Sequence, residues 1–177
     1  MHTRLAEVAD YLESTRSTVL GEIDGVAPER LTATPAAGGW SAAQILDHLQ
    51  RVEGICARVM GKALSAAISE GLGPEDSTES LLDSLDRFRI TLTDTPLDAP
   101  DSVVPHSAPP VEELVPNLRA TRDSLRSVLR DANGLAIGTV ILQHPRLGQI
   151  NLYQWALFVA QHERRHVPQL QRALGRS

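Results

Sequence analysis

The sequence predicts an all-α fold in which four long amphipathic helices form one bundle. Apolar residues recur at spacings of three and four in four separate segments, as they do on the buried face of a helix. One short segment, residues 135–142, is instead rich in β-branched residues. The chain has 177 residues, which suits a single domain over residues 1–177 with a sizeable apolar core.

Two of the predicted long helices lie in the first half of the chain. The first covers residues 3–22 and is followed by an irregular, proline-containing crossing over residues 27–39. The second covers residues 41–70. Ser41 is a suitable N-cap, and Gln44 three residues later completes a capping box.

The middle of the chain is less regular. Gly54 and Gly61 inside the second helix would each cost about 1 kcal/mol relative to alanine, which predicts a bend or the close approach of another helix. A polar turn at residues 71–77 precedes a shorter predicted helix over residues 78–91. Closely spaced prolines then predict an ordered but irregular arm over residues 94–110.

The last two long helices are predicted over residues 111–131 and 151–174. An Asn-Gly pair at 133–134 ends the first of them, residues 135–142 are expected to be extended, and residues 144–148 form a turn. Four long helices and one short extended piece indicate an α bundle. That architecture by itself carries no information about chemistry.

The composition argues against several functional classes. The chain carries 17 basic and 22 acidic residues, a net charge of −5, and its basic residues are spread along the sequence, which disfavours a nucleic-acid groove. The single cysteine, Cys56, excludes an intrachain disulfide and suits a reducing compartment. No apolar run approaches the ~20 residues that span a bilayer, and the N-terminal segment lacks a signal-peptide pattern. We therefore expect a soluble cytoplasmic protein without nucleic-acid or membrane partners.

A pair of histidines on the last predicted helix is the first candidate site. His162 and His166 are four residues apart, so their imidazoles lie on the same face and can reach one ion. They continue an apolar stripe that includes Trp155, Val159 and Leu170, which places them on the inward face. Such a pair, taken alone, fits a metal site or a structural polar network equally well.

The same segment resembles the HExxH helix of zinc peptidases, in which Glu163 would be the general base. Both intervening residues are arginines, and Pro168 follows closely. These peptidases take a third ligand downstream, but no Asp, Glu or His follows His166 in this sequence. Peptidase activity is therefore disfavoured.

A third ligand must come from upstream, and His48 is the candidate. It lies on the second predicted helix at the edge of the apolar stripe formed by Ile45, Leu49 and Val52. With His162 and His166 it would form a three-histidine site with at least one open coordination position. Three neutral nitrogens with open coordination suit Zn²⁺, Ni²⁺ or Fe²⁺ and are typical of catalytic sites.

Three motifs together resemble the DinB/YfiT-like metalloenzyme superfamily. They are GWSAAQILDHL at residues 39–49, HPRLG at 144–148, and the pattern W…H…H…QL over residues 155–170. The resemblance covers most of the chain and implies an up-down-down-up four-helix bundle, a divalent-metal site formed by three histidines, and frequent homodimers. Related families include transferases that use thiols such as mycothiol or bacillithiol, and hydrolase-like members. Residues 72–110, which carry an extra short helix and the proline-rich arm, exceed the family minimum.

The other three histidines carry weaker signals. His144 precedes a proline, which favours a turn residue, although a place at the rim of the pocket is the alternative. His106 in the proline-rich arm and His2 at the N-terminus are expected to be solvated.

Polar neighbours of the candidate ligands are expected to be incidental. Asp47 and Glu163 each adjoin a histidine but point about 100° away from it on a helix, so solvent exposure is favoured over support of an imidazole. Arg164 and Arg165 are expected on a solvated face, with binding of an anionic ligand as the alternative. Cys56 is expected in the core rather than as a ligand or nucleophile.

The sequence thus supports two hypotheses. In the first, the chain is a metal-dependent enzyme that transfers or hydrolyses a small molecule, with a low-molecular-weight thiol as a co-substrate implied only by the resemblance. In the second, it is a non-catalytic binding or oligomerisation bundle in which the histidines form a structural network or hold a structural ion.

Overall fold

The computed structural model describes residues 1–36, 38–92, 100–105, 107 and 109–176, and the fold is mostly helical. The α-helices are α1 (Thr3–Ile23), α2 (Pro28–Thr32), α3 (Ala42–Ser69), α4 (Val111–Asp131) and α5 (Leu152–Ala173). Short 3₁₀ helices cover Leu82–Phe88, Asp101–Val103 and Ile137–Thr139. Strands β1 (Ile141–His144) and β2 (Gly148–Asn151) form an antiparallel hairpin just before α5.

The four long helices predicted from the sequence are confirmed, and they pack against one another. Helix α3 contacts both α4 and α5, and α1 contacts both α5 and α4. The capping box of Ser41 and Gln44 is present at the start of α3, and a second one, formed by Asn151 and Gln154, starts α5. Among the described residues, no helix combines the length and the apolar character needed to cross a membrane.

The two glycines inside α3 mark close contact with α4. A Cβ atom on Gly54 would lie 3.5 Å from Cγ2 of Thr121, and one on Gly61 would lie 3.3 Å from Cγ2 of Val128. The close approach predicted at these glycines is therefore confirmed.

Two apolar clusters divide the interior along the helix axes. The first contains Leu5 and Leu12 of α1 together with residues 56–64 of α3, and the second contains Val19 of α1 together with residues 42–49 of α3. Helices α4 and α5 are divided in the same way. The residues between the clusters are polar and buried, so a charged layer crosses the interior of the protein.

Two local predictions differ from the structure. The extra short helix predicted at residues 78–91 is present only as the 3₁₀ helix Leu82–Phe88, and the residues before it are tied to α1, where the carboxylate of Glu7 accepts hydrogen bonds from the Leu81 N–H and the Ser80 hydroxyl. The crossing at 27–39 contains the short helix α2.

The fold is also not purely helical. The predicted extended segment, residues 135–142, forms strand only from Ile141 onward, and it continues through His144 because β2 provides a pairing partner. The proline-rich arm is described only in part, and residues 93–99, 106 and 108 lie outside the described residues.

Candidate metal centre

Three histidine side chains from two helices meet at one point. Nε2 of His162 lies 3.2 Å from Nε2 of His48 and 3.2 Å from Nε2 of His166. One ring nitrogen from each histidine lies within 4.8 Å of the other two. The three residues predicted from the sequence are therefore adjacent, with His48 on α3 and the other two on α5.

The outer ring nitrogens of two of these histidines are tied to oxygen acceptors. His48 Nδ1 lies 2.8 Å from the carbonyl oxygen of Val103, and His166 Nδ1 lies 2.6 Å from Oε1 of Gln169. An oxygen acceptor at Nδ1 favours the tautomer with hydrogen on that atom, which leaves a lone pair on Nε2. Both Nε2 atoms are thus prepared to accept a proton or a cation.

The arrangement fits a bound cation better than a network of hydrogen bonds. With lone pairs on Nε2 of His48 and His166, only one hydrogen, on His162 Nε2, is available to bridge three facing nitrogens. Metal–nitrogen bonds of about 2.0–2.1 Å separate two ligand nitrogens by about 2.9 Å at a right angle and about 3.4 Å at a tetrahedral angle. The observed separations of 3.2 Å lie between these values.

All three rings are held in the neutral state that metal ligands require. Burial lowers the pKa of His48, although its bond to Val103 opposes this. Burial and the neighbouring histidines lower the pKa of His162 well below its usual value. Burial, followed by the proximity of His48, lowers the pKa of His166 to about 3. Unprotonated imidazoles at neutral pH are therefore available without competition from protons.

The histidine cluster opens into a large cavity of about 1390 Å³. Apolar side chains contribute much of its wall, and both tryptophans of the chain, Trp40 and Trp155, line it. Trp40 also contacts His48, with 5.0 Å between the ring centroids. A small molecule in this cavity would lie against the three histidines.

His144 lies in the wall of this cavity and is 5% exposed. It is the last residue of β1, directly before the hairpin turn, and its Nδ1 accepts hydrogen bonds from the backbone N–H groups of Arg146 and Leu147 in that turn. Its ring also contacts Phe158, with centroids 4.4 Å apart. Burial, with a smaller contribution from Arg146, lowers the pKa of His144 to about 4.

The expectation that Glu163 is exposed was wrong. Its side chain is 2% exposed and lies in the charged layer, where it accepts hydrogen bonds from Thr15, Arg16 and Arg122. Glu53 pairs with the same two arginines. One charged residue from each long helix thus forms a buried group of two arginines and two glutamates, which we call the ionic quartet.

The sequence reasoning missed three members of the ionic quartet, although a signal was present. Arg16, Glu53 and Arg122 each follow a buried leucine by four residues and precede another buried apolar residue by three. A charged residue at such a position falls inside the apolar stripe, so its burial could have been predicted. The pairing could not, because the partners lie 37 to 147 positions apart.

Three other expectations can be compared with the structure. Asp47 is buried rather than exposed, and its carboxylate accepts from Gln50 and Arg51 on its own helix. Arg165 is also buried, and it donates to the carbonyl oxygen of Ile90 at 3.2 Å, whereas Arg164 is exposed as expected.

Cys56 is buried in the core as predicted, and burial raises the pKa of its thiol to about 12. His2 is only half-buried, and its backbone N–H donates to Asn133. His106 lies outside the described residues.

Comparisons with known proteins give two matches. The family profile described as "DinB superfamily" matches residues 11–170, which is most of the chain. A protein of Bacillus subtilis (strain 168) described as "Uncharacterized protein YuaE" is 25% identical over 150 residues, which cover 84% of this chain and 86% of that protein. No solved structure matches the chain.

Proposed function

Since the chain belongs to the DinB superfamily, we propose that it binds a divalent metal ion through His48, His162 and His166 and acts enzymatically on a small molecule. The observation that carries this proposal is the convergence of three Nε2 atoms, with the Nδ1 atoms of His48 and His166 tied to oxygen acceptors. Zn²⁺, Ni²⁺ and Fe²⁺ are the candidate ions, because all three accept imidazole nitrogen.

The chemistry follows from an open coordination position beside the cavity. The three imidazoles would hold a divalent ion, which would supply a nucleophile near neutral pH by lowering the pKa of a bound water or thiol. The chain supplies the other requirements: Val103 and Gln169 orient two imidazoles, and the apolar cavity wall limits access of water to the reacting groups. The reaction type we propose is transfer or hydrolysis.

A low-molecular-weight thiol is the proposed co-substrate for a transfer reaction. The resemblance to thiol-dependent transferases supports this suggestion. Cys56 is a poor thiol donor, because it is buried and its pKa is raised to about 12. Thiol chemistry in this cavity would therefore require an external thiol.

We also propose the up-down-down-up helix order. Along the sequence, α1 and α5 pass from the first apolar cluster to the second, whereas α3 and α4 pass from the second to the first. This alternation supports a four-helix bundle in that order, formed by a single domain over residues 1–177. The resemblance also supports a homodimer, which light scattering of the purified protein would test. The single cysteine supports a cytoplasmic location, because a reducing compartment does not favour disulfides.

Metal analysis of protein purified without a histidine tag tests the metal site. We expect about one equivalent of metal in the wild type, a loss of most of it in His48→Ala, and no change in His2→Ala, which removes a histidine outside the cluster. Added Zn²⁺ or Ni²⁺ at 100 times the dissociation constant should raise the unfolding free energy of wild type by about 2.7 kcal/mol. Equal metal content and equal stabilisation in His48→Ala would overturn the three-histidine assignment.

Activity distinguishes the enzyme from a binding bundle. The metal-loaded protein is screened for S-transfer with low-molecular-weight thiols and for ester or amide hydrolysis, with His48→Ala as the blank. Activity present in wild type and absent from His48→Ala supports the enzyme. Stoichiometric metal without activity in either screen would favour the non-catalytic alternative.

A further inference from the structure

The cavity beside the histidines has an unusual charge. The chain carries a net charge of −5, yet among the described residues four arginines and no aspartate or glutamate line the cavity. The arginines are Arg30, Arg146, Arg165 and Arg172. Arg30 and Arg172 are exposed, so the rim of the cavity carries positive charge. A low-dielectric cleft with charges of one sign attracts ligands of the opposite sign.

His144 adds a neutral hydrogen-bond donor inside the cavity. Because its Nδ1 accepts two backbone N–H groups at 3.2 Å, this atom carries no hydrogen, and the neutral ring carries its hydrogen on Nε2. Among the described residues Nε2 has no hydrogen-bond partner, and the ring belongs to the cavity wall. The tautomer is therefore set by the hairpin turn, and it presents a donor for which the described part of the chain supplies no acceptor.

Trp155 provides a second donor of the same kind. Its ring centroid lies 4.8 Å from that of His144, and the residue is 4% exposed. Its indole Nε1–H is buried and has no hydrogen-bond acceptor in the described part of the chain. A buried donor without an acceptor costs about 1–3 kcal/mol, and this one is closed to solvent, so it adds positive polarity to the wall without being exposed in the cavity.

The remaining wall is suited to an apolar body. Val52, Ile55, Val59, Phe88 and Ile90 contribute aliphatic and aromatic surface to the cavity. An apolar wall with a few converging polar groups is the usual design of a small-molecule site, in which the polar groups fix orientation. Here the charged side chains of the lining are all cations, while Thr34, Ser102, Gln143 and Gln169 add neutral polar groups.

We propose that the cavity binds an amphipathic small molecule with an anionic oxygen group, which accepts a hydrogen bond from His144 Nε2 while its apolar body lies against the aliphatic wall. This inference rests on the proposed function, because it names the substrate class of the same site. Carboxylate and phosphate groups share this chemistry, and the arginines at the rim attract either of them.

Intrinsic fluorescence provides a direct test, because both tryptophans of the chain line the cavity. The protein is first stripped of metal with EDTA, so that a metal ion at the histidine cluster cannot itself bind the anion. It is then titrated at pH 7.5 with decanoate, decyl phosphate, 1-decanol and decylamine. We expect one of the anions to bind at least tenfold more tightly than 1-decanol, and decylamine to bind most weakly. The tighter anion identifies the group. Equal affinity for 1-decanol and both anions would overturn the proposal.

Two variants of His144 separate binding from support of the turn. The side chain of His144→Asn retains an acceptor near the position of Nδ1 and has no donor at the position of Nε2, whereas His144→Gln restores a donor near Nε2. We expect His144→Asn to weaken binding of the preferred anion about tenfold or more, without changing the affinity for 1-decanol, and His144→Gln to recover part of the loss. An equal loss for anion and alcohol in His144→Asn would show a structural role only and would overturn the assignment.

The rim is tested with a matched pair of arginine variants. Arg172→Gln removes a charge at the cavity, and Arg58→Gln removes an exposed charge on α3 that does not line it. We expect weaker anion binding, with a reduced dependence on salt, in Arg172→Gln only. The same change in both variants would refute a specific role for the rim.

Metal content measured on the same preparations before EDTA treatment distinguishes the two proposals. Anion preference without stoichiometric metal in the untreated protein would overturn the metal-dependent function and leave this inference standing. Stoichiometric metal without anion preference would overturn this inference alone.

Discussion

Replacing Glu163 by glutamine tests whether the ionic quartet holds the four long helices together. The substitution keeps the size of the side chain and removes its charge. In the wild type this carboxylate accepts from Thr15 Oγ1 at 2.8 Å, from Arg16 Nε at 2.7 Å and from Arg122 Nη2 at 3.1 Å. A glutamine offers one oxygen to these donors, and its amide NH₂ group would face a donor with no acceptor.

The size of the effect follows from the charge left behind. The two arginines and two glutamates of the ionic quartet sum to zero, and their side chains are between 1% and 6% exposed. Glu163→Gln leaves one uncompensated positive charge in this layer. Removing one partner from a buried ion pair typically costs about 3–5 kcal/mol, and we expect a loss in this range.

Glu13→Gln is the matched control. It makes the same chemical change in an ion pair with Arg126, in which the side chains of Arg126 and Glu13 are 46% and 43% exposed, and the contact of Glu13 with Arg122 of the quartet is a longer one of 3.7 Å. Exposed pairs contribute about 0.2–1 kcal/mol, because water and salt screen them. The control should therefore lose no more than about 1 kcal/mol.

Equilibrium unfolding in urea, followed by far-ultraviolet circular dichroism, measures both variants against the wild type. The midpoint should shift strongly for Glu163→Gln and little for Glu13→Gln, with unchanged slopes if the folded state keeps its compactness. If Glu163→Gln loses no more stability than the control, the ionic quartet does not stabilise the fold and our reasoning about the charged layer is refuted.

Three further predictions concern pH, thiol reactivity and helix packing. Burial lowers the pKa of His144 to about 4 and that of His166 to about 3, so below the ordinary pKa of 6.5 the unfolded chain binds more protons than the folded protein. The unfolding free energy of the metal-free protein, measured in urea titrations, should therefore fall as the pH is lowered from 6.5 to about 4, by up to ~1.4 kcal/mol per pH unit for each histidine. A constant unfolding free energy over this range would contradict the prediction. The thiol of Cys56, 2% exposed and with its pKa raised to about 12, should react with Ellman's reagent at pH 8 only in denaturant, and rapid reaction of the native protein would refute its burial. Gly54→Ala should raise the unfolding free energy by up to ~1 kcal/mol in the same urea assay, because the new methyl group would contact Thr121 at an ordinary 3.5 Å, and a loss of stability would show that α4 cannot accommodate it.

Local patterns predicted most of the fold and the candidate ligands. The periodicity of apolar residues predicted every end of the four long helices to within one residue of its observed position. This was possible because the burial of one helical face depends on spacing alone. His162 and His166 are neighbours on one helix, so their joint position followed from the helical repeat. The short helix predicted at residues 78–91 is only a 3₁₀ helix over Leu82–Phe88, and the hydrogen bond from Leu81 to Glu7, 74 positions earlier, is a contact that no local pattern could show.

What the sequence by itself determined is which face of each helix carries its apolar residues, because this depends on positions a few residues apart. It therefore placed His48, His162 and His166 on inward faces, but it put the buried Asp47, Glu163 and Arg165 in solvent. Only the tertiary structure decided how buried polar groups are satisfied. His48 obtains its acceptor from Val103, 55 positions away, and Glu163 is neutralised by arginines on two other helices. The cost of an unpaired buried charge makes such partners necessary, but the packing of the helices determines which residues provide them.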